Sequence, residues 1–468
     1  MSGGSSTRHA AGWIVAILLP LAACLLSRRA GLALTQTIFL VVFSAAMTMW
    51  VFRLVEEFIP CIFCAAAFLI LDLAPARVVM SGFTSDSFFM AMSFFGLSAV
   101  FLSSGLLRRL ILLILRRTPP SRTGYSLAFF LIGFAFTLVF PTANGRILVL
   151  IPIVMELAAA LGYPAGGLAA TELAVSAFFG ATWLSSMVLT SKTVNFVVVD
   201  LLPEQVKQQF SWLYWAYASL GSSAVLLLLY GIAAGLVFRK ARAPRLSREK
   251  VAGLLRDLGP VRFREWCALG GILVFGVFVV TGSLHKIEIS WLSLAILFVF
   301  LSFGFLTPEE FQKRVNWNFL LYLGGLVGIA KTMSFLGLDV EIGRLFSPLG
   351  GIMKGNFVLF VILLFAVVAA LRVAIPNNIV VAQLAVVLFP VAQFSGVNPW
   401  VIGYLLLLFS DGWVAPYQCT YYLQMEDIAG ERPFYDERIF LRFNAASNLL
   451  RLLAVLIALP YWKWLGIL

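Results

Sequence analysis

The chain has 468 residues, of which 61% are hydrophobic and 12% are charged. Soluble domains carry about 25% charged residues, so this composition excludes an ordinary soluble protein and indicates a chain embedded in a lipid bilayer. The 34 basic and 22 acidic residues give a net charge of +12. No basic domain stands apart from the apolar segments, so we do not expect this charge to serve nucleic-acid binding.

Metal-ligating and nucleophilic residues are sparse in the sequence. Cys61 and Cys64 have the spacing of a metal-binding pair, but no second pair or histidine is near them, so we interpret them as buried free thiols. The two histidines, His9 and His285, lie far apart. Because no nucleophile, metal site or pair of acids is clustered, we expect neither an enzyme nor a bound cofactor. An integral-membrane enzyme is the less favoured alternative.

Apolar runs follow one another along the chain and predict an all-α, multi-pass membrane protein. A run of about 20 residues is enough to span a bilayer. The first run, 11–27, lacks a small-residue cleavage site, so we expect an uncleaved helix rather than a signal peptide. The expected location is the inner membrane of a bacterium. The further runs are 31–52, 58–75, 84–107, 125–140, 145–162, 167–200, 212–238, 264–282, 289–306, 317–338, 356–375, 379–394, 399–423 and 444–467.

Two of the apolar regions are interrupted by proline and small polar residues. The interruptions begin at Pro141 and at Pro376. A break at membrane depth is tolerated only inside protein or beside a water-filled cavity, and paired breaks in the two halves of a chain indicate a transporter binding site. We therefore predict two re-entrant helical hairpins, 125–162 and 356–394, that enter from opposite faces. Two pairs of ordinary kinked spans are the alternative.

The similarity between the two halves extends beyond the hairpins. The stretches 87–109 and 318–344 both contain glycines, both end in an arginine, and each stands shortly before a hairpin. The repeated order predicts two inverted repeats. The segment between the halves, 238–266, is a long charged linker. We expect this linker and the basic residues of 108–122 to face the cytoplasm.

Several stretches of the chain match one family of membrane transporters. They are the hairpin tips 142–144 and 376–378, the stretches 190–195 and 415–420, the Trp-to-Pro segment 47–60 and the Trp-Gly-Gly segment 315–325. With them, the chain resembles the divalent anion/sodium symporter family of the ion transporter superfamily, from about residue 45 to the end. In that family the tips carry Ser-Asn-Thr, and a broken helix follows each hairpin. The stretches 190–195 and 415–420 match those broken helices.

The resemblance implies a homodimer in which each protomer has a fixed scaffold and a transport unit that moves like an elevator. In the family, the tips and broken helices enclose a small anion such as a dicarboxylate, a tricarboxylate or sulfate. Many members bind sodium beside the tips, and others exchange anions. The implied segments are 1–124 (N-terminal scaffold and start of the first repeat), 125–200 (first hairpin and broken helix), 201–237 (a scaffold helix), 238–266 (cytoplasmic basic linker), 267–355 (second-repeat scaffold and support helices), 356–425 (second hairpin and broken helix) and 426–468 (C-terminal helix).

The resemblance and the affinity of exposed helix N-termini for anions together predict the binding residues. Lys192 is the expected direct partner of the anion, and Asn144 and Asn378 are possible sodium ligands. The alternative is that the polar side chains only satisfy kinked backbone. The expected substrate-binding residues are Thr142, Asn144, Thr190, Ser191, Lys192, Thr193, Asn195, Asn377, Asn378, Pro416 and Thr420.

Charged residues at the breaks bear on ion coupling. Arg146, Arg372 and Asp411 are the coupling candidates, because a charge at membrane depth costs about 2.5–3.5 kcal/mol and by default marks function. Snorkelling of Arg146 to the cytoplasmic face and a structural ion pair of Asp411 are the alternatives. Neither tip keeps Ser-Asn-Thr, so we favour anion exchange or proton-linked transport over sodium symport. A cation/proton antiporter of the same superfamily is a further alternative, but bases outnumber acids at the breaks.

Overall fold

The structure is a computed structural model that describes residues 3–241, 253–281, 285, 287–430 and 433–468. These residues are mostly α-helical, and they contain no β-strand. Among them, eight helices are long and apolar enough to cross a bilayer. The predicted all-α, multi-pass membrane protein is confirmed. The centre of the predicted basic linker, 242–252, lies outside the described residues.

Twelve α-helices make up the part of the first half that is described before the linker. They are α1 (Gly3–Arg29), α2 (Leu34–Val51), α3 (Ile59–Ile70), α4 (Ala76–Val79), α5 (Asp86–Ser104), α6 (Leu106–Arg117), α7 (Arg122–Phe136), α8 (Ala143–Ala160), α9 (Leu168–Thr182), α10 (Thr193–Leu201), α11 (Glu204–Gln209) and α12 (Trp212–Phe238).

Eleven α-helices make up the part of the second half that is described from residue 263 onward. Its helices are α13 (Phe263–Val280), α14 (Ile289–Ser302), α15 (Pro308–Arg314), α16 (Trp317–Phe335), α17 (Leu338–Leu345), α18 (Ser347–Gly355), α19 (Phe357–Arg372), α20 (Asn377–Phe394), α21 (Pro399–Ser410), α22 (Thr420–Ala429) and α23 (Glu437–Trp464).

Both predicted interruptions separate two helices. Residues 137–142 divide α7 from α8, and residues 373–376 divide α19 from α20. Thr142 caps α8, because its hydroxyl oxygen accepts a hydrogen bond from the Gly145 N–H at 3.2 Å. Pro376 stands directly before α20 and has no N–H to donate. Both interruptions therefore lie where the sequence predicted them. That the two helix pairs are re-entrant hairpins, and that they enter from opposite membrane faces, stays a prediction.

The helix after each hairpin is broken in the middle. In the first, α9 and α10 are separated by residues 183–192, which include one 3₁₀ turn, Leu189–Ser191. In the second, α21 and α22 are separated by residues 411–419, with the 3₁₀ turn Pro416–Gln418. We call these segments the first break and the second break. The family resemblance led us to expect them at these places.

Close approach of backbones fixes the first hairpin against the first broken helix. Helix α7 packs along α9. Gly133 and Gly180 lie at this contact, where a Cβ atom on Gly180 would overlap the carbonyl group of Phe130. Small residues at such crossings allow helices in membranes to pack tightly. The first arm of the first hairpin and the first half of the broken helix are therefore in close contact.

Helices α12 and α23 pack beside the first break. They pack against each other, and the indole N–H of Trp462 on α23 donates to the carbonyl of Ala218 on α12 at 2.9 Å. The indole N–H of Trp183 in the first break donates to Leu226 of α12 at 2.9 Å. The resemblance assigned 201–237 to the scaffold, whereas α12 packs here on the first break. The division into fixed and moving units stays a prediction.

Arginines of the basic cluster hold the ends of the linker. Arg122 pairs with the buried Glu172 at 3.1 Å and also donates to the carbonyls at the end of α12. Arg109 pairs with the buried Glu265 and donates to the carbonyls of Gly259 and Pro260 at 3.0 and 3.1 Å. These two arginines therefore bind buried acids and backbone carbonyls at the two ends of the linker.

Candidate functional site

A large open cavity lies between the two hairpin tips, the two breaks and the loop that joins α2 to α3. Its volume is about 990 Å³. Each of these five segments contributes side chains to the wall. Its polar and charged lining residues are Arg53, Glu56, Glu57, Thr142, Asn144, Lys192, Thr193, Asn316, Arg372, Asn377, Asn378, Asp411, Gln418 and Thr420. The repeated elements predicted from the sequence therefore meet at one place.

Four helices begin at this cavity. The first residues of α8, α10, α20 and α22 are among its lining residues. The first N–H groups of a helix have no partner within the helix, and the helix dipole makes this end positive. Only α8 has a side-chain cap; no side chain caps α10, α20 or α22. The cavity is thus surrounded by the helix ends that favour a negative charge.

Arg146 joins the first tip to the first broken helix. It is fully buried. Its guanidinium group donates to the carbonyl of Phe140 in the tip at 2.6 Å, to Ala181 near the end of α9 at 2.7 Å, and to Ser191 in the first break at 2.7 Å. Snorkelling to a membrane face, the alternative that the sequence left open, is therefore wrong. The arginine neutralises carbonyl ends of helical segments, where a cation is favourable.

Arg372 makes the corresponding contacts in the second repeat. It donates to the carbonyl of Ile375 in the second tip at 3.0 Å, to Ser410 at the end of α21 at 2.8 Å, and to Gln418 in the second break at 2.7 Å. The Gln418 amide in turn donates to the Arg372 carbonyl at 3.0 Å. Each arginine therefore bonds one tip carbonyl, one carbonyl near the end of the first half-helix, and one carbonyl of the 3₁₀ turn.

The two arginines bear on whether sodium fits at these carbonyls. Hard cations bind oxygen ligands such as backbone carbonyls. Here one carbonyl oxygen in each tip and one in each break already accepts a hydrogen bond from Arg146 or Arg372. A sodium ion on the same oxygens would lie against a guanidinium group and be repelled by it. The residues present do not fit a sodium site built on these carbonyls.

Lys192 and Asp411 form a buried ion pair between the two breaks. The ammonium group of Lys192, in the first break, contacts the carboxylate of Asp411, in the second. Arg451 of α23 approaches the same carboxylate at 3.8 Å, and the side-chain amide of Asn377 in the second tip donates to it at 3.3 Å. The Lys192 and Asp411 side chains are 8% and 1% exposed, and both residues line the cavity. The pair therefore joins the two repeats at the cavity wall.

The predicted substrate-binding residues divide into two groups. Thr142, Asn144, Lys192, Thr193, Asn377, Asn378 and Thr420 line the cavity, and the Thr420 hydroxyl donates to the side-chain oxygen of Asn144 at 3.4 Å. Thr190, Ser191, Asn195 and Pro416 are not among the lining residues. The Asn195 amide, for example, donates to the carbonyl of Val188 at 2.9 Å. This is the backbone-satisfying role that the sequence left open for such residues.

Some residues of the site were not predicted. Arg451 is buried, and its guanidinium carbon lies over the ring of Trp183, 4.4 Å from the ring centroid. A single arginine within the apolar run 444–467 was the signal that should have marked it. Arg53 lines the cavity and has a φ of 52°, which is uncommon for a residue other than glycine.

Glu57 also belongs to the cavity wall and lies in the loop between α2 and α3. The indole N–H of Trp50 holds its backbone by donating to the Glu57 carbonyl at 2.8 Å. Burial raises the pKa of its carboxyl group, and Asn378 and Arg53 partly oppose this shift. Asn378 belongs to the second tip, so this acid connects the α2–α3 loop with the second hairpin.

Comparison with known proteins agrees with the geometry. Residues 7–468 match the family model described as the sodium:sulfate symporter transmembrane region. The chain is similar to the inner membrane protein YbhI of Escherichia coli, at 24% identity over 72% of this chain and 71% of YbhI. It is also similar to the putative malate transporter YflS of Bacillus subtilis, at 23% identity over 55% of this chain and 56% of YflS. The chain is a membrane transporter that belongs to the sodium:sulfate symporter family.

Proposed function

We propose that the protein is a secondary transporter of small dianions, dicarboxylates or sulfate, in a bacterial inner membrane. The observation that carries this proposal is the convergence of four helix N-termini on one cavity, three of them without a side-chain cap. A dianion placed there accepts hydrogen bonds from free N–H groups and from the side chains of Asn144 and Thr193. The movement is that of an elevator within a homodimer, as the resemblance implies.

An anion is favoured over a cation by the same arrangement. Acids and bases are balanced among the lining residues, since Glu56, Glu57 and Asp411 stand against Arg53, Lys192 and Arg372. The side chains alone therefore do not decide the sign of the substrate. The helix ends favour an anion, because each contributes roughly half a positive charge to the cavity. A cation/proton antiporter would require those ends to point away from its site.

The charge that a sodium ion supplies in a symporter is here supplied by the protein. Arg146 and Arg372 hold the carbonyls of the tips and breaks together. They keep the binding geometry in place without a transported cation. Transport is therefore independent of sodium, which is also what the altered Ser-Asn-Thr tips predict.

Malate is the first substrate to test, because one similar protein carries that substrate in its name. Sulfate is the second, because it appears in the description of the family. The two anions share two negative charges but differ in length and shape. Comparing them separates a site that recognises charge alone from one that recognises two carboxylates.

Uptake into proteoliposomes tests the proposed function. The purified protein is reconstituted in potassium buffer, and entry of radiolabelled malate and sulfate is followed with and without external sodium. We expect uptake of at least one anion, at the same rate in both buffers. Arg344→Gln is the control variant, since Arg344 is exposed and pairs only with its neighbour Glu341 among the described residues. The proposal is contradicted if neither malate nor sulfate is taken up, or if uptake requires sodium.

A further inference from the structure

Asp411 stands between two bases that come from different elements. Lys192 reaches its carboxylate from the first break, and Arg451 reaches the same oxygen from α23 at 3.8 Å. The Ser186 hydroxyl is 3.5 Å from that oxygen, and Asn377 donates to the other oxygen. The carboxylate is buried, so it depends on these partners for its charge.

The two bases differ in their access to substrate. Lys192 lines the cavity, whereas Arg451 is not among the lining residues. Arg451 is held from behind, because its guanidinium group lies over the ring of Trp183 and donates to the carbonyl of Leu408 at 3.4 Å. A substrate anion in the cavity can therefore replace Asp411 at Lys192 but not at Arg451.

We infer that Asp411 is an internal counter-ion, which pairs with Lys192 in the empty carrier and leaves it for Arg451 when an anion binds. This inference rests on the proposed function, since it assigns a role to a residue of the same site. In the empty carrier the carboxylate takes the place of the substrate. In the loaded carrier it stays paired with Arg451, and Lys192 is free to hold the anion.

This role has a consequence for the transport cycle. An unpaired base at membrane depth is unfavourable, so a carrier without Asp411 has difficulty in reorienting empty. Such a carrier can only exchange one anion for another. With Asp411 present, Lys192 is neutralised without substrate and the empty carrier can return. The protein should therefore perform net transport, whereas obligate exchange was one of the two modes, with proton-linked transport, that the sequence favoured.

The test compares net uptake with exchange for Asp411→Asn. Labelled malate enters proteoliposomes in sodium-free buffer, with vesicles that are either free of internal anion or loaded with unlabelled malate. We expect the wild type to work in both modes. In the variant, net uptake should fall at least about tenfold more than exchange does. The variant should also bind malate more tightly, because the internal competitor is gone.

Two further variants make the result specific. Lys192→Gln combined with Asp411→Asn removes both charges. The double variant should therefore bring the ratio of net uptake to exchange back towards the wild-type ratio. Asp200→Asn is the matched control, because Asp200 is equally buried and pairs with Lys207 at 3.2 Å but does not line the cavity. That control should change both modes in the same proportion.

Two results would overturn the inference. One is unchanged net uptake in Asp411→Asn, and the other is an equal loss of net uptake and exchange that the double variant does not correct. If the wild type carries neither malate nor sulfate in either mode, the proposed function fails instead. In that case thermal unfolding without anion still tests the pairing. Asp411→Asn should lower Tm and the added Lys192→Gln should restore it, whereas a further decrease in Tm contradicts the inferred pair.

Discussion

The first and second broken helices have the same backbone construction and different charges. In each, one arginine bonds carbonyls of the tip, the half-helix end and the 3₁₀ turn: Arg146 in the first and Arg372 in the second. The residue before the second half-helix is Lys192 in the first break and Cys419 in the second. Asp411 begins the second break, and its counterpart in the first is Trp183.

This difference separates what holds the site together from what binds and counterbalances the substrate. The features present in both repeats are structural, since the arginines satisfy backbone that the breaks expose. The features present in only one repeat are a lysine directly before the second half-helix and an acid that pairs with it. We therefore expect the symmetric positions to affect stability and the asymmetric positions to affect binding and coupling. The following predictions test that division, from the largest effect to the smallest.

Replacement of either symmetric arginine should have the largest effect. Arg146→Gln leaves buried carbonyls without a donor, and each such group costs about 1 kcal/mol or more. We expect a loss of about 3 kcal/mol or more in stability, seen as a lower Tm in detergent, together with loss of transport. Arg372→Gln should behave in the same way. Arg344→Gln, at the exposed surface, is the control. A stable, active Arg146→Gln protein would show that the arginine bonds are not structural.

Lys192→Gln should weaken anion binding and leave the fold largely intact. A hydrogen bond to a charged group contributes about 1.5–3 kcal/mol, so malate affinity should fall about ten- to a hundredfold. Stability should change less than in the arginine variants, because Asp411 keeps Arg451 as a partner. Equilibrium binding of labelled malate and the Tm of each variant measure the two effects. Lys331→Gln, at an exposed position of α16, is the matched control.

Glu57 should give a small dependence of binding on pH. Burial raises the pKa of its carboxyl group, so it gains a proton at a higher pH than an exposed glutamate does as the solution is acidified. Neutralising this acid removes a negative charge from the cavity wall. Sulfate affinity should therefore rise about two- to threefold as the pH falls from about 7 to about 5. The effect is small because a partly solvated charge interacts only weakly with the anion. Sulfate is the probe because it stays doubly charged in this range.

The variant Glu57→Gln sharpens this prediction. It should bind sulfate at neutral pH as tightly as the wild type does once its Glu57 carboxyl group is protonated, and its own affinity should be independent of pH. An increase on acidification that persists in Glu57→Gln would assign the titration to another group. Because Asn378 also contacts Glu57, the Tm of the variant should be measured beside its affinity.

The positions of the tips were predictable from the sequence, because proline and small polar residues inside an apolar run expose backbone groups that hydrocarbon cannot satisfy. The breaks followed from the family resemblance. The partners of Arg146 were not predictable in the same way. Its carbonyl acceptors lie as far away as residues 181 and 191, and no side-chain pattern marks a carbonyl that lacks a donor. The sequence showed that Arg146 lies at the tip, but its carbonyl partners could be identified only from the fold.

The pairing of Lys192 with Asp411 lies between these cases. Both residues were singled out, but 219 positions separate them, and only the meeting of the two breaks brings them together. Arg451 was missed because it lies in α23, outside the segments that the resemblance marked as the site. Ser191 and Asn195 were expected at the substrate, whereas both donate to carbonyls of the first break. Residue type alone does not separate these two uses of a polar side chain.

We expect fixed charges and helix ends of the protein to bind a dianion without sodium. Equilibrium binding of labelled malate and sulfate to the purified protein, in potassium buffer and in sodium buffer at equal ionic strength, tests it most directly. We predict that at least one anion binds and that its Kd is the same in the two buffers. Binding that appears only in sodium, with an affinity that rises with sodium concentration, would contradict the account.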